Sequence, residues 1–157
     1  MNQMELFDGS SEFCGRLGLD RGDADVLAAR VQTEIHRLVG LLRFSPDSAG
    51  VYIARCAPDY FILPALADHF TRRFGEIPWV IIDERRGICL SCENGGPVRL
   101  ITVSAGPSAE MEKGTEDSWE ELWRLHHSSL SNEARKNPRL QRQFMPTRYH
   151  KYLPEMK

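Results

Sequence analysis

The sequence predicts an α+β fold: a mostly antiparallel sheet of about five strands, packed by helices, with a helical C-terminal segment. Three observations carry this. Apolar residues recur at helical spacing in residues 26–39, 62–74 and 119–130. Short apolar runs bounded by Gly, Pro, Asn and Asp fall between those stretches, at 41–44, 51–56, 79–83, 88–92 and 98–103. The order is helix, two strands, helix, three strands, helices, so a strict alternation of strand and helix is absent. A length of 157 residues is room for one domain, and 41% apolar with 27% charged residues is a globular balance.

Taken in order, residues 1–22 are polar, acidic and interrupted by four glycines, and are expected to form a loosely ordered tail ahead of a single domain over 23–157. Asp23 or Asp25 can cap a first helix, in which Val26, Val31, Ile35 and Leu38 share a face and Gly40 supplies the stop. Residues 41–44 and 51–56 predict a hairpin around the 46–50 turn cluster. Pro58 and Asp59 are expected to open a second helix, with Ile62, Leu63, Leu66, His69, Phe70 and Phe74 on one side and Pro64 near its first turn. Residues 79–83 are apolar almost throughout, which predicts a central strand. A turn, the strand 88–92, the Asn94-Gly95 turn and the strand 98–103 complete a meander. After an acidic linker at 104–117, Ser118 three residues before Glu121 reads as a capping box for a last long helix. Its buried stripe is expected to be Trp119, Leu122, Trp123, His126 and Leu130. Pro138 breaks the pattern, a short helix through Leu140 and Phe144 follows, and Pro146 and Pro154 keep the end irregular.

Composition excludes several classes. No apolar run reaches the ~18–20 residues of a membrane helix. The start of the chain has neither the basic nor the apolar part of a secretion signal, so reduced thiols and a cytoplasmic location are expected. Cys89 and Cys92 form a C-x-x-C, but no second pair or His pair follows at ligand spacing. Residues three apart on a strand also point to opposite faces. Ordinary cysteines, no metal and no cofactor are therefore expected.

The net charge of −2 hides an asymmetry: residues 1–29 sum to −4, 104–117 to −3, and 118–157 to +4. Arg135, Lys136, Arg139, Arg142, Arg148 and Lys151 lie in an acid-free run, and 16 of the 20 basic residues in the chain are Arg. Arg grips phosphate or carboxylate in a planar fork. Asn137, Gln141 and Gln143 add amides, and Phe144, Tyr149 and Tyr152 add rings. Cations along a backbone, amides and stacking rings are what single-stranded nucleic acid asks for. A solvated face and ion pairs to the acidic linker are the competing readings of this block. Arg43 and Arg55, on predicted strands, are expected to pair internally, with Asp59, Asp68 or Asp83 as partners, or to face an anionic ligand. His69 and the Asp83/Glu84 pair are the weak acid/base candidates. No nucleophile elbow, phosphate-binding glycine loop or H-E-x-x-H motif occurs.

Several strings together resemble a bacterial domain family of unknown function. They are His36-Arg37-Leu38-Val39-Gly40-Leu41-Leu42-Arg43-Phe44, Ala67-Asp68-His69-Phe70-Thr71-Arg72-Arg73-Phe74, Pro78-Trp79-Val80-Ile81-Ile82-Asp83-Glu84-Arg85-Arg86-Gly87, Leu122-Trp123, Arg135-Lys136-Asn137-Pro138 and Phe144-Met145-Pro146-Thr147-Arg148-Tyr149. The likeness covers residues 26–155. Members of that family go by the description of DNA-repair or DNA-metabolism proteins, are encoded beside a radical-SAM protein, and are in some cases joined to a uracil-DNA glycosylase domain. This chain departs from them at His150, where Trp commonly follows Arg-Tyr, and at His126-His127, where an aromatic pair follows Leu-Trp.

The basic block, in the DNA-repair setting that the resemblance implies, predicts a nucleic-acid-binding accessory module of a DNA repair or modification system. Arg135, Asn137, Arg139, Arg142, Arg148, Tyr149 and Lys151 would form its binding face, and Arg43, His69, Arg73 and Arg85 an adjoining pocket. Two alternatives stand beside it. One is a nucleotide- or base-processing enzyme using His69 or Asp83 with clamp arginines. The other is a module that docks a radical-SAM or glycosylase partner.

Overall fold

A computed structural model describes residues 21–102 and 118–156. The tail before residue 21, with Cys14, and the acidic linker lie outside the described residues, as do the side chains of Ser118 and Trp119. Helix α1 spans Arg21–Leu41. Its buried positions are Glu34 and Leu38, followed by Leu42 just past its end, each four residues on and so on one face. Val31, Ile35 and Val39 pack beside them. The helix carries on through Gly40, because the Leu42 N–H still bonds to the Leu38 carbonyl at 3.0 Å. The strand expected at 41–44 is therefore absent, and β1 is only Ser45–Pro46. Burying Leu38 and Leu42 together on one helical face outweighs the extended preference of that short run.

Strand β2 is Tyr52–Cys56, β3 is Trp79–Asp83, β4 is Ile88–Cys92 and β5 is Arg99–Thr102. The sheet order follows the chain, β1-β2-β3-β4-β5. Three of the four pairings are antiparallel and β2–β3 is parallel, with Ala54 opposite Ile81 and Cys56 opposite Asp83. A parallel pair needs a crossover, and helix α2, Leu63–Phe74, supplies it. It begins at Leu63 rather than at Pro58, since the N–H groups of Asp59 and Tyr60 bond to the Glu34 carboxylate. Pro64 occupies its first turn, as expected. At the β4–β5 turn, Asn94 and Gly95 both take positive φ, 50° and 69°. A Cβ on Gly96 would sit 2.9 Å from the Glu93 carbonyl.

The core lies between α1, α2 and one face of the sheet. Trp79, Ile81, Leu63, Leu66 and Phe70 are fully buried. Phe44 meets the rings of Phe70 and Phe74 at 5.1 and 4.7 Å between centroids, in tilted and edge-on geometries. Both edges of the sheet are short. β1 carries Pro46, which limits pairing with other chains at that edge, while β5 is exposed along its length.

Helix α3 is Ser118–Leu130 and α4 is Pro138–Phe144. They are followed by 3-10 turns at Thr147–Tyr152 and Pro154–Met156. Tyr149 and Leu153 of these turns are buried and complete the core. The stripe expected to be buried on α3 is not: Leu122, Trp123 and Leu130 are exposed, as are Leu125, Leu140 and Phe144. α3 is held instead from the side. Trp123 Nε1 donates to Glu155 at 3.0 Å and Arg124 Nε to the Pro154 carbonyl at 3.3 Å. No helix among the described residues is long and apolar enough to cross a membrane.

Candidate functional site

Where the parallel strands β2 and β3 end, charged groups from four parts of the chain converge. Glu34 comes from α1, Asp59 from the loop after β2, and Asp83, Glu84, Arg85 and Arg86 from the end of β3 and its turn. Arg148, Tyr149, Lys151 and Tyr152 come from the C-terminal 3-10 turn.

Glu34 is 2% exposed. Its carboxylate accepts four bonds, each 2.9 Å: from the N–H groups of Asp59 and Tyr60, from Arg148 Nη2 and from the Tyr149 hydroxyl. A buried carboxylate persists only when its lone pairs are filled in this way. Arg148 bonds Asp59 with its other nitrogen, and Arg85 bonds the opposite oxygen of Asp59 at 2.9 Å. Asp83 is wholly buried and accepts from the Arg85 and Arg86 N–H groups and from Arg86 Nη1 at 2.8 Å. Arg86 also donates to the Pro58 and Asp59 carbonyls, stapling that loop to the end of β3. Glu84 accepts from Lys151 at 3.1 Å and from the Tyr152 hydroxyl at 2.7 Å, with Arg55 at 3.9 Å.

These contacts set the protonation behaviour. Partial burial pushes the Glu84 carboxyl upward, but the donors Tyr152 and Lys151 outweigh it and hold the group below its ordinary value. Burial, then the hydrogen bond to Glu34, pushes Tyr149 up to about 12 despite the opposing bond from Arg148. Tyr152 is raised in the same way beside Glu84. Burial also pushes Cys56 up to about 12, so its thiol is no nucleophile.

The residues singled out in the sequence therefore separate into two groups. Arg148, Lys151, Arg85 and Arg43 are engaged internally. Arg43 pairs with Glu155 at 2.7 Å, and its guanidinium lies over the Trp123 ring at 5.7 Å. The partners of Arg43 and Arg55 are thus Glu155 and Glu84, not Asp59, Asp68 or Asp83. Tyr149 is 1% exposed and has no ring face for a base, which withdraws it from a stacking role. Asp83, with both oxygens engaged, is likewise shut off from acid/base work on a substrate. Asn137 caps α4, its side chain accepting from the Leu140 N–H at 3.0 Å.

The second group is exposed. Arg135 and Arg139 form no ion pair among the described residues, and Arg142 bonds only the Pro138 carbonyl. Phe144, 65% exposed, and Leu140 stand one turn apart beside them. Arg37 of α1 reaches across to the Gln143 carbonyl at 3.0 Å, tying α4 to α1.

Two open clefts adjoin these elements. One, of about 500 Å³, is lined by Val26, Ala29, Arg30, Thr33, Glu34, Arg37, Asp59, Tyr60 and Arg148. The other, of about 510 Å³, lies between α1 and α2 and takes in His69, Arg72, Arg73 and Asp68 over Ile35, Val39 and Ala65. His69 and Arg73 thus share a cleft, while Arg43 and Arg85 lie elsewhere. Cys89 is half-buried and Cys92 buried, on alternate faces of β4. No group of three or more His, Cys, Asp and Glu placed to hold a metal occurs among the described residues.

The molecule is thus an α+β domain whose C-terminal turns are bolted onto the ends of two parallel strands by ion pairs, one of them to the buried Glu34, with a cationic short helix beside them. Residues 20–155 match the family model described as a domain of unknown function, DUF4130, and the chain belongs to that family. No curated protein and no solved structure shows significant similarity to it.

Proposed function

We propose that the domain is a nucleic-acid-binding accessory module of a bacterial DNA repair or modification system. The repair setting comes from the family resemblance of its motifs. The observation that supports binding is the exposed group on and before α4: Arg135, Arg139 and Arg142, which have no carboxylate partner among the described residues, beside the outward ring of Phe144. Exposed guanidinium groups next to an exposed ring suit a single strand, whose phosphates and base faces are both accessible. In this reading Phe144 takes the stacking role, and Arg148, Tyr149 and Lys151 hold the platform in place.

Anisotropy titrations of labelled single- and double-stranded DNA across a salt series test it. Three phosphate contacts give a log–log slope of about −2 on single strands, since each contributes about −0.7. Replacing Arg139 and Arg142 together with Ala shallows the slope by about one and weakens different sequences alike, because phosphate contacts carry no sequence information. Phe144→Ala costs about 1–3 kcal/mol of binding with little change in slope. Folded protein that binds no nucleic acid at low salt rules the reading out.

A docking role has one observation in its favour, the exposed Leu122, Leu125, Leu130 and Leu140. Side chains of this size in one region mark a surface that meets another molecule. A radical-SAM protein or a uracil-DNA glycosylase is the partner the resemblance suggests. The enzyme reading using His69 and Asp83 loses ground, because Asp83 is buried and lines neither cleft.

A further inference from the structure

The cleft beside α1 carries excess positive charge. Its two carboxylates are already neutralised: Glu34 by Arg148, and Asp59 by Arg148 and Arg85. Two further cations stand on its α1 wall. Arg30 is exposed and forms no ion pair among the described residues. Arg37 gives one nitrogen to the Gln143 carbonyl and bonds no carboxylate among the described residues. Three guanidinium groups, of Arg30, Arg37 and Arg148, therefore line the cleft with two carboxylates, one of which also takes Arg85 from outside it, and the excess positive charge lies with Arg30 and Arg37. These are seven residues apart, about 10 Å along the helix, close enough for two long side chains to serve neighbouring anionic groups. The half-buried Tyr60, from the loop after β2, and the half-exposed Val26, one turn before Arg30 on α1, provide apolar surface beside them. The volume, about 500 Å³, is in the range of small-ligand sites.

We propose that this cleft seats one nucleotide of a single strand, its two flanking phosphates on Arg30 and Arg37 and its base against Tyr60. The proposal rests on the nucleic-acid reading above and gives it a location. Arg37 is the link, since it lines the cleft and holds the end of α4. A strand lying along Arg139 and Arg142 therefore reaches the cleft without leaving positive surface. Arg148 contributes charge but little direct bonding, because its fork is already occupied by Glu34, Asp59 and Tyr149.

The test is titration of the full chain at low salt with thymidine 3′,5′-bisphosphate, which carries both flanking phosphates, against thymidine 5′-monophosphate and thymidine. Calorimetry supplies affinities, and amide shifts of residues 26–37 and 59–60 supply the location. The bisphosphate is expected to bind at least tenfold more tightly than the monophosphate, and thymidine more weakly than both. Arg30→Ala should weaken the bisphosphate at least tenfold without changing Tm, because Arg30 is exposed. Tyr60→Leu should weaken all three ligands, as its N–H bond to Glu34 is made by the backbone. The Arg139→Ala/Arg142→Ala variant should bind the bisphosphate as the parent does while losing oligonucleotide affinity. Equal binding of thymidine and its bisphosphate, an unchanged affinity in Arg30→Ala, or shifts confined to other residues overturns the proposal. Oligonucleotide binding without bisphosphate binding sinks the cleft alone and leaves the α4 reading standing. Bisphosphate binding without oligonucleotide binding sinks the claim that the nucleotide belongs to a strand.

Discussion

At the scale of single residues, Glu34 is the group on which most others depend. Its carboxylate is the common acceptor for two backbone N–H groups, a guanidinium and a phenol. Glu34→Ala leaves Arg148 and two amides without a buried acceptor, and is expected to cost about 3–5 kcal/mol, read by urea denaturation. Glu34→Gln, which keeps the shape and one carbonyl oxygen, should cost less. Tyr149→Phe keeps the ring in the core and removes one hydroxyl, a loss of about 1–2 kcal/mol. Nucleic-acid affinity should not follow it, since the ring is buried. A drop in affinity without a drop in Tm would count against the assignment of Tyr149 to the platform. The internal pairing of Arg43 and Arg55 was legible from their apolar neighbours. Their partners were not, because Glu155 lies 112 positions from Arg43 and nothing local selects it. Glu34 did leave a mark in the sequence, as an acid inside the apolar face of a helix, four residues before Leu38.

At the scale of elements, four of the five strands and the crossover helix were readable from short apolar runs and their turn residues. The misreadings have physical causes. Residues 41–44 have extended preferences, but Leu42 completes the buried face begun by Glu34 and Leu38. The helix expected from Pro58 starts later, because Glu34 takes the amides that would enter its first turn. The apolar stripe of α3 obeys helical periodicity, yet periodicity reports a face and not what covers it. That helix is fastened by Trp123 and Arg124 to the turn at Pro154–Met156. Glu155→Ala removes the partners of both Trp123 and Arg43. Hydrogen exchange should then show faster exchange across Ser118–Leu130, with β3 and β4 unchanged. Equal loss of protection in the sheet would show that α3 is part of the core unit.

At the scale of the whole molecule, the charged seam sets how stability depends on pH. Glu84 and Glu155 are both held below the ordinary value of 4.5, with burial opposed by Tyr152 and Lys151 in the first, and by its own backbone N–H, Arg43 and Trp123 in the second. A carboxyl depressed in the folded state contributes stability above its unfolded value, and that contribution is lost as pH falls through the folded one. Tyr149 runs the other way. Raised from 10 to about 12, it contributes fully below pH 10 and loses that contribution as pH climbs toward 12. With Cys56 raised from 9 to about 12 as well, Tm is therefore expected to be flat between about pH 5 and 9 and to fall on both sides. Glu155→Gln should shallow the acid limb, and Tyr149→Phe the alkaline one. An acid limb unchanged in Glu155→Gln would remove that pair from the account.

The bonds from Arg148 and Tyr149 to Glu34 join residues 114 and 115 positions apart, whereas β3, β4 and β5 follow one another along the chain. Contacts between distant residues close the largest loops and are the slowest to assemble. The seam is therefore expected to close after the rate-limiting barrier, as a latch rather than a nucleus. Stopped-flow measurements on Glu34→Gln should show faster unfolding and an almost unchanged refolding rate, the pattern of a contact still unformed at the transition state.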